Sequence, residues 1–346
     1  TIFRSLSGQP HAPLNVIIGE NDTGKTHLLK LLYAIVRSLE EYQKKSVGTP
    51  SPQFAMNLAK KLQWVFLPQN MELGHLVSLG TNRLKVNVQI QGKELQFEFG
   101  KKTKSQIKKL SFSSELNNLE KVKAIFLPPK EILSIFDAIV ATREDKEIPA
   151  FDDTYLDLVR DFRQPATRNS GQLQHQAVWH SLSEATGESE IVVEKDGSIW
   201  FVRGSEKYNV HQIAEGIRKI GILHRLMHNE MLNEHISSVL FVDEPEVNLH
   251  PKAIVLLADF LYQLSESGIQ VYLSTHSYFV LKRLEQLARR HDKDFLLIDL
   301  RSLDAETVAS FHHLKDGLPD NPIVEQSVAL YQEDVELYLT KSKLKD

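Results

Sequence analysis

Gly19-Glu20-Asn21-Asp22-Thr23-Gly24-Lys25-Thr26 (GENDTGKT) decides the reading of this chain. It satisfies G-x-x-x-x-G-K-[ST], a spacing with a mechanical reason behind each fixed residue. The glycines let the backbone bend until successive N–H groups point inward and cradle phosphate oxygens. Lys25 reaches the β- and γ-phosphates, and Thr26 offers a hydroxyl to Mg²⁺. Upstream, Leu14–Ile18 (LNVII) is a short apolar run and predicts a buried strand. Downstream, Leu28, Leu29, Leu31, Leu32, Ile35 and Leu39 recur at helical spacing within 27–42. Strand, loop and helix follow in the order that lets a helix dipole add to the cradle. The competing reading is a glycine-rich turn with an incidental lysine.

Further out, a second signal stands at Val239-Leu240-Phe241-Val242-Asp243-Glu244-Pro245. A buried apolar strand ends there in two adjacent carboxylates, and ligands of open α/β sheets bind at strand ends of this kind. Asp243 suits Mg²⁺, and Glu244 suits the orientation and polarisation of an attacking water. A generic acidic turn at a strand end is the alternative. The next strand, Gln270–Leu273, leads into Ser274-Thr275-His276. His276 there is placed to touch a γ-phosphate or the water, although a lone histidine is more often a packing or capping residue.

The remaining pattern is of short apolar strands alternating with helices: 238–242, 251–265, 270–273, 278–290 and 295–298. That predicts a mostly parallel, covered sheet in an α/β fold. Residues 84–99 alternate on both sides of Gln91-Gly92 and predict an antiparallel hairpin. A second hairpin is predicted over 190–194 and 199–202, turning at Asp196-Gly197. Lys121–Pro128 is another strand candidate, and 45–53 reads as a surface loop. The stretch 101–123 reads as loop plus amphipathic helix, 131–186 as mostly helical with a stop at Gly187, and 210–228 as one helix. Trp64, Trp179 and Trp200 are expected in the core.

Composition bounds the chemistry. The 346 residues are 42% hydrophobic and 25% charged, ordinary for a globular chain, and 41 Lys+Arg against 45 Asp+Glu leave −4. No global basic field draws the chain onto nucleic acid or membrane. Lys101, Lys102, Lys104, Lys108 and Lys109 form a local cluster that either touches a phosphate backbone or is a solvated face. Zero cysteines exclude disulfides, thiolate zinc sites, iron–sulfur clusters and cysteine nucleophiles. The dispersed histidines show no spacing typical of zinc. No stretch approaches the ~20 apolar residues of a membrane helix, and residues 1–13 hold no apolar signal core. The expectation is a cytoplasmic protein with no membrane partner.

The order GENDTGKT, VLFVDEP and STH resembles the ATP-binding-cassette (ABC) class of P-loop ATPases. More narrowly it is similar to the RecF, Rad50 and overcoming-lysogenization-defect (OLD) group, whose DEPE-x-x-LHP stretch resembles Asp243–Pro251 here. Transporter cassettes carry aspartate where His250 stands. The resemblance implies a single ABC-type head over 1–346. Its parts would be an N-terminal lobe over 1–100, a helical insertion over 101–189 and a C-terminal lobe over 190–346. It also implies Mg·ATP sandwiched in a head-to-tail dimer, bound by residues 19–26 (Gly19, Glu20, Asn21, Asp22, Thr23, Gly24, Lys25 and Thr26).

The same resemblance makes Thr26 and Asp243 the Mg²⁺ residues and Glu244 and His276 the catalytic pair. A signature helix facing the partner's γ-phosphate would begin near Glu215 and Gly216, without the usual serine and second glycine. Gln69, in Phe66-Leu67-Pro68-Gln69-Asn70, is the candidate for the glutamine loop; a surface residue following a strand is the alternative. Stand-alone ATPases of this kind occur in bacterial anti-phage systems such as Septu and some retrons, where they regulate a partner nuclease or toxin. OLD nucleases carry a C-terminal Toprim domain; the tail after His276 is short for one, and Asp299, Asp304 and Glu306 form no convincing cluster. Two other functions fit the same motifs: a DNA-repair ATPase that clamps duplex DNA, and a nucleotide-gated scaffold that does not hydrolyse.

Overall fold

The computed structural model describes residues 12–45, 51–113, 119–165, 189–194, 197–232, 236–303 and 306–343. A six-stranded sheet forms the centre, in the order β12-β11-β1-β10-β9-β5. Its strands are β1 (Leu14–Gly19), β5 (Val122–Leu127), β9 (Ser237–Asp243), β10 (Gln270–Ser274), β11 (Leu296–Leu303) and β12 (Glu306–His313). All neighbours pair in parallel except β11 and β12. The mostly parallel α/β sheet expected from the sequence is therefore present.

Alternate strand residues feed opposite cores, as period-two geometry requires. Val16 and Ile18 join one cluster with Leu240, Val242, Val271 and Leu273. Helices α3 (Asp153–Phe162), α4 (Glu215–His228), α5 (Pro251–Glu266) and α6 (Tyr278–His291) cover that face. Ile17 joins the other with Phe126, Phe241 and Tyr272 beneath α1 (Lys25–Lys45) and α2 (Ser51–Phe66). Here the rings of Phe126, Phe241 and Tyr272 stack in a row, with centroids 6.4 and 5.2 Å apart. The Tyr33 ring sets its edge against Phe126 at 5.3 Å.

Two small antiparallel sheets flank this frame. The predicted hairpin, β2 (Arg83–Ile90) and β3 (Lys93–Gly100), turns at Gln91 and Gly92, both at positive φ as a tight hairpin turn demands. It gains a third strand, β4 (Lys109–Phe112). Strands β6 (Glu190–Val193), β7 (Ile199–Arg203) and β8 (Glu206–Asn209) form the other. Gly221 lets α4 approach it, since a Cβ there would stand 2.6 Å from Ile191 Cδ1.

Several local expectations are corrected. No helix occupies the described part of 101–123; Leu110 and Phe112 alternate too briefly to announce the strand they form against β3. The stretch 131–165 carries short turns over 133–144 and then α3, while 166–188, including Trp179 and Gly187, lies outside the described residues, as does Asp196. Residues 210–212 form a separate turn because Asn209 and Gln212 close a capping box, and α4 starts only at Glu215 after extended Ala214. Trp64 is not in the core: it is half-buried, with the Arg143 guanidinium 3.8 Å above its ring. Trp200 is also half-buried, its Nε1 donating to Ser198. Asp299 accepts from Arg301, while Asp304 lies outside the described residues. An unpredicted helix, α7 (Pro322–Lys343), ends the described chain.

A buried charge network joins α1, α2 and α3. Arg37 pairs with Glu40 at 2.9 Å and Asp161 at 3.1 Å, and Lys61 lies 2.9 Å from both Asp153 and Asp157. Tyr33 donates to Asp157 at 2.7 Å. Burial pushes the Asp157 carboxyl up, but Lys61 and Arg37 overcome it and hold it down at about 2.

Candidate nucleotide site

The register of the sheet assembles the site. Ile17 lies beside Ser274, and Ser274 beside Asp243, so β1, β10 and β9 end at one edge. The 19–26 loop leaves β1 there, and α1 begins at Lys25. Gly19 sits at φ +149, and a Cβ would stand 2.3 Å from the Leu300 carbonyl oxygen, so no side chain fits where β1 passes β11. Asp22 and Gly24 also take positive φ, the bend the motif calls for.

Among the described residues the amides of Asn21, Asp22 and Gly24 donate to no protein acceptor, while Thr23 N reaches Glu20 O only at 3.5 Å. Lys25 Nζ donates to the carbonyls of Gly19 and Glu20 at 3.0 and 2.8 Å, folded back over its own loop. Burial pushes the Lys25 ammonium pKa down, and Glu244, Asp243 and Glu246 oppose that shift. A buried cation beside unpartnered amides fits a polyanion.

Across the loop, Thr26 Oγ1 donates to both oxygens of Asp243, at 3.1 and 2.9 Å. Ser274 Oγ donates to Asp243 Oδ1 at 2.5 Å. Asp243 is almost fully buried, and burial pushes its carboxyl pKa up against the lowering by Ser274 and Thr26. A buried carboxylate held by two hydroxyls, without a cationic partner in hydrogen-bond reach among the described residues, suits a hard divalent ion such as Mg²⁺.

Glu244 takes φ +45, a left-handed conformation uncommon for glutamate. Its amide donates to Ser274 O at 3.2 Å and Ser274 Oγ at 3.1 Å, which holds that conformation. Its carboxylate meets His276 Nε2 at 3.2 Å, and both side chains remain about one third exposed. The structure thus brings together Lys25, Thr26, Asp243, Glu244 and His276.

Glu215 and Gly216, the expected signature positions, open α4, and Gly216 has a packing reason within the chain. A Cβ there would meet Leu249 Cδ2 at 2.6 Å, so the glycine lets α4 rest on the 244–250 turn. Lys219 donates to Val247 O at 3.2 Å across the same seam. His250 caps α5, its Nδ1 accepting from Lys252 N, and Pro251 takes the first helical turn.

Gln69 is exposed on a turn, with no described contact to Thr26 or Asp243. The element before it is the end of α2, not a strand; Phe66 there stacks on His27 at 5.8 Å. The strand beside β9 is β5, so residues 128–131 stand at the strand-end edge near Asp243. Glu131 accepts from Leu133 N and Ser134 N and pairs with Arg218, fixing α4 to this corner.

The sequence reading missed Ser274 as a partner of Asp243, and it missed Lys30, paired with Asp152 at 2.7 Å. Tyr155 was missed too; burial, with Asp152 and Asp243 near, pushes its phenol up to about 12. Ser274 carried a usable signal, adjoining the histidine already singled out.

The chain resembles the Smc head bound to the C-terminal winged-helix domain of ScpA, with a TM-score of 0.50, 12% identity, and 89% of this chain and 94% of that one covered. At that identity the likeness shows the fold alone, that of an Smc head. A second Smc head, from Pyrococcus furiosus, aligns with a TM-score of 0.47 and 11% identity over 94% of both chains. The Old nuclease of Escherichia phage P2 is 51% identical over 45 residues, 13% of this chain. The match spans only 8% of that nuclease's length. Residues 14–282, most of the chain, match the family model described as AAA domain, putative AbiEii toxin, Type IV TA system, and the chain belongs to that ATPase-domain family.

Proposed function

We propose that this chain is a Mg·ATP-driven switch that hydrolyses ATP and regulates a separate effector. Lys25 and the 19–26 amides would neutralise the phosphates, and Thr26 with Asp243 would hold the metal. Mg²⁺, when bound, would screen phosphate charge. Glu244 would orient the attacking water and accept its proton, with His276 beside it. The observation that carries this reading is Thr26 Oγ1 within 2.9 Å of a buried Asp243 carboxylate, beside loop amides with no partner among the described residues.

In this reading ATP completes a head-to-tail dimer in which Glu215 and Gly216 face the partner's nucleotide, so nucleotide state sets quaternary structure. The match to the Old nuclease and the family's description as a putative AbiEii toxin favour a nuclease or toxin effector, and the resemblance carried by the motifs extends that reading to anti-phage defence. No helix among the described residues is long and apolar enough to cross a membrane.

Purified protein is expected to release phosphate from Mg·ATP. Lys25→Ala is expected to weaken ATP binding about 100-fold, consistent with roughly 1.5–3 kcal/mol for a charge-assisted contact. Isothermal titration calorimetry reads this directly. Unchanged affinity would remove the phosphate loop from the reading.

A second reading, a head that clamps duplex DNA, is favoured by one surface. A groove of ≈ 820 Å³ is lined by Arg83, Lys101, Lys102, Lys104, Lys108 and Lys109. The loop is pinned: Leu73 N donates to Lys104 O and Gly74 N to Thr103 O, at 2.8 and 2.7 Å. Among the described residues Lys101, Lys102, Lys104 and Lys108 have no acidic partner, whereas Lys109 pairs with Glu98. Four free lysines predict duplex affinity whose logarithm falls with log salt at a slope of about −3 to −4. The triple variant Lys101→Glu, Lys102→Glu, Lys104→Glu should abolish it. A salt-independent or unaffected interaction in a fluorescence-anisotropy titration would leave the first reading alone.

A further inference from the structure

The turn after β9 and the turn after β10 are locked together by one carboxylate that the motifs left without a role. Glu246 Oε1 accepts from Thr275 Oγ1 at 2.7 Å and from the backbone N–H of His276 at 2.7 Å. Thr275 is fully buried. Its amide donates to Ile17 O at 3.1 Å, and its hydroxyl accepts from Ser277 N at 3.0 Å. Ser277 in turn caps α6. The grip therefore reaches β1, the turn 274–277 and the start of α6 at once.

Glu244 and His276, the pair 3.2 Å apart, stand on the two turns that Glu246 joins. Glu246 is two residues from Glu244, and its acceptor oxygen holds the amide of His276 itself. Ser274 ties the Glu244 amide from one side, and Glu246 ties the His276 amide from the other. Its second oxygen, Oε2, is buried without a hydrogen-bond partner among the described residues.

We infer that Glu246 is a positioning residue that sets His276 against Glu244. Its effect on catalysis rests on the ATPase reading; its effect on the two side chains does not. It acts through Oε1 alone, so glutamine retains the function when its carbonyl takes the same place, and alanine abolishes it.

Two measurements test this. In nucleotide-free protein, two-dimensional histidine side-chain NMR reports on His276 directly. Glu244→Gln is expected to move the His276 ring resonances in the wild-type background and to leave them unmoved in a Glu246→Ala background. Glu246→Gln is expected to preserve the response. Should Glu246→Ala fail to fold, Thr275→Val removes one of the two bonds from the other side and is expected to reduce the response. A full response in Glu246→Ala, or in Thr275→Val where that variant must serve, overturns the inference whatever the protein hydrolyses.

Where wild type turns over ATP, Glu246→Ala is expected to lower kcat about 100-fold with KM for ATP changed less than about threefold, and Glu246→Gln to stay within about fivefold of wild type. In a His276→Ala background, Glu246→Ala is expected to cost little more, because both act through one contact. Multiplying losses overturn it. An inactive wild type with the NMR coupling intact would count against the ATPase reading and not against Glu246.

Discussion

Glu244→Gln is expected to reduce steady-state ATP hydrolysis by 10²–10⁴-fold, the range for removing a positioned general base. That corresponds to roughly 3–5 kcal/mol of transition-state stabilisation. The substitution keeps the shape of the side chain and the backbone hydrogen bonds to Ser274, which come from the amide and not the carboxylate. It leaves Thr26 and Asp243 in contact, so Mg·ATP affinity should change less than about threefold. Binding without turnover should populate the ATP-closed assembly, seen as a shift to dimer mass in size-exclusion chromatography with light scattering when Mg·ATP is present. Aspartate at 243 is the contrasting control, because Asp243→Asn weakens the metal site and should lose affinity along with rate. Hydrolysis by Glu244→Gln at the wild-type rate would sink the catalytic assignment.

The site was legible where chemistry leaves little freedom. GENDTGKT needs Gly19 and Gly24 for backbone reasons and Lys25 and Thr26 for charge and hydroxyl. Apolar runs too short for helices gave β1, β9 and β10, and parallel register then carried Asp243 and Ser274 to the loop without further information. What stayed hidden depends on tertiary partners. Ser51-Pro52 was read as loop because of its composition, yet proline is tolerated in a first helical turn, and α2 starts there. That helix also ends just before Gln69, where the sequence suggests a strand. β8 (EKYN) carries no apolar alternation of its own and exists through its ladder with β7. Lys30 meets Asp152, and Tyr33 meets Asp157, across more than a hundred residues, distances over which a single sequence offers no pairing signal.

The buried network between α1, α2 and α3 gives the other large expectation. Arg37→Met should destabilise the fold by about 3–5 kcal/mol, because Glu40, Asp157 and Asp161 would remain buried with a cation removed. Urea unfolding followed by circular dichroism reads this as a lower midpoint, and a loss below about 1 kcal/mol would mean water already reaches these carboxylates. Asp157 sets the acid side of the pH effect, while burial holds the Asp153 and Asp161 carboxyls above the ordinary value, an opposite contribution that is lost as pH rises. The Asp157 carboxyl lies below the ordinary 3.8, so its contribution is complete above that value and is lost as pH falls toward about 2. Asp157→Asn should flatten the wild-type loss of stability across that window.

The candidate nucleotide site opens α1 at Lys25 and Thr26, while Arg37 lies about three turns further along the same helix. Mg·ATP at a hundred times its Kd should therefore add about 2.7 kcal/mol to wild type and to Arg37→Met alike. Equal increments identify the network as a clamp on the fold. An increment at least 1 kcal/mol smaller in Arg37→Met would instead mean that the clamp helps to hold the phosphate loop in its binding shape.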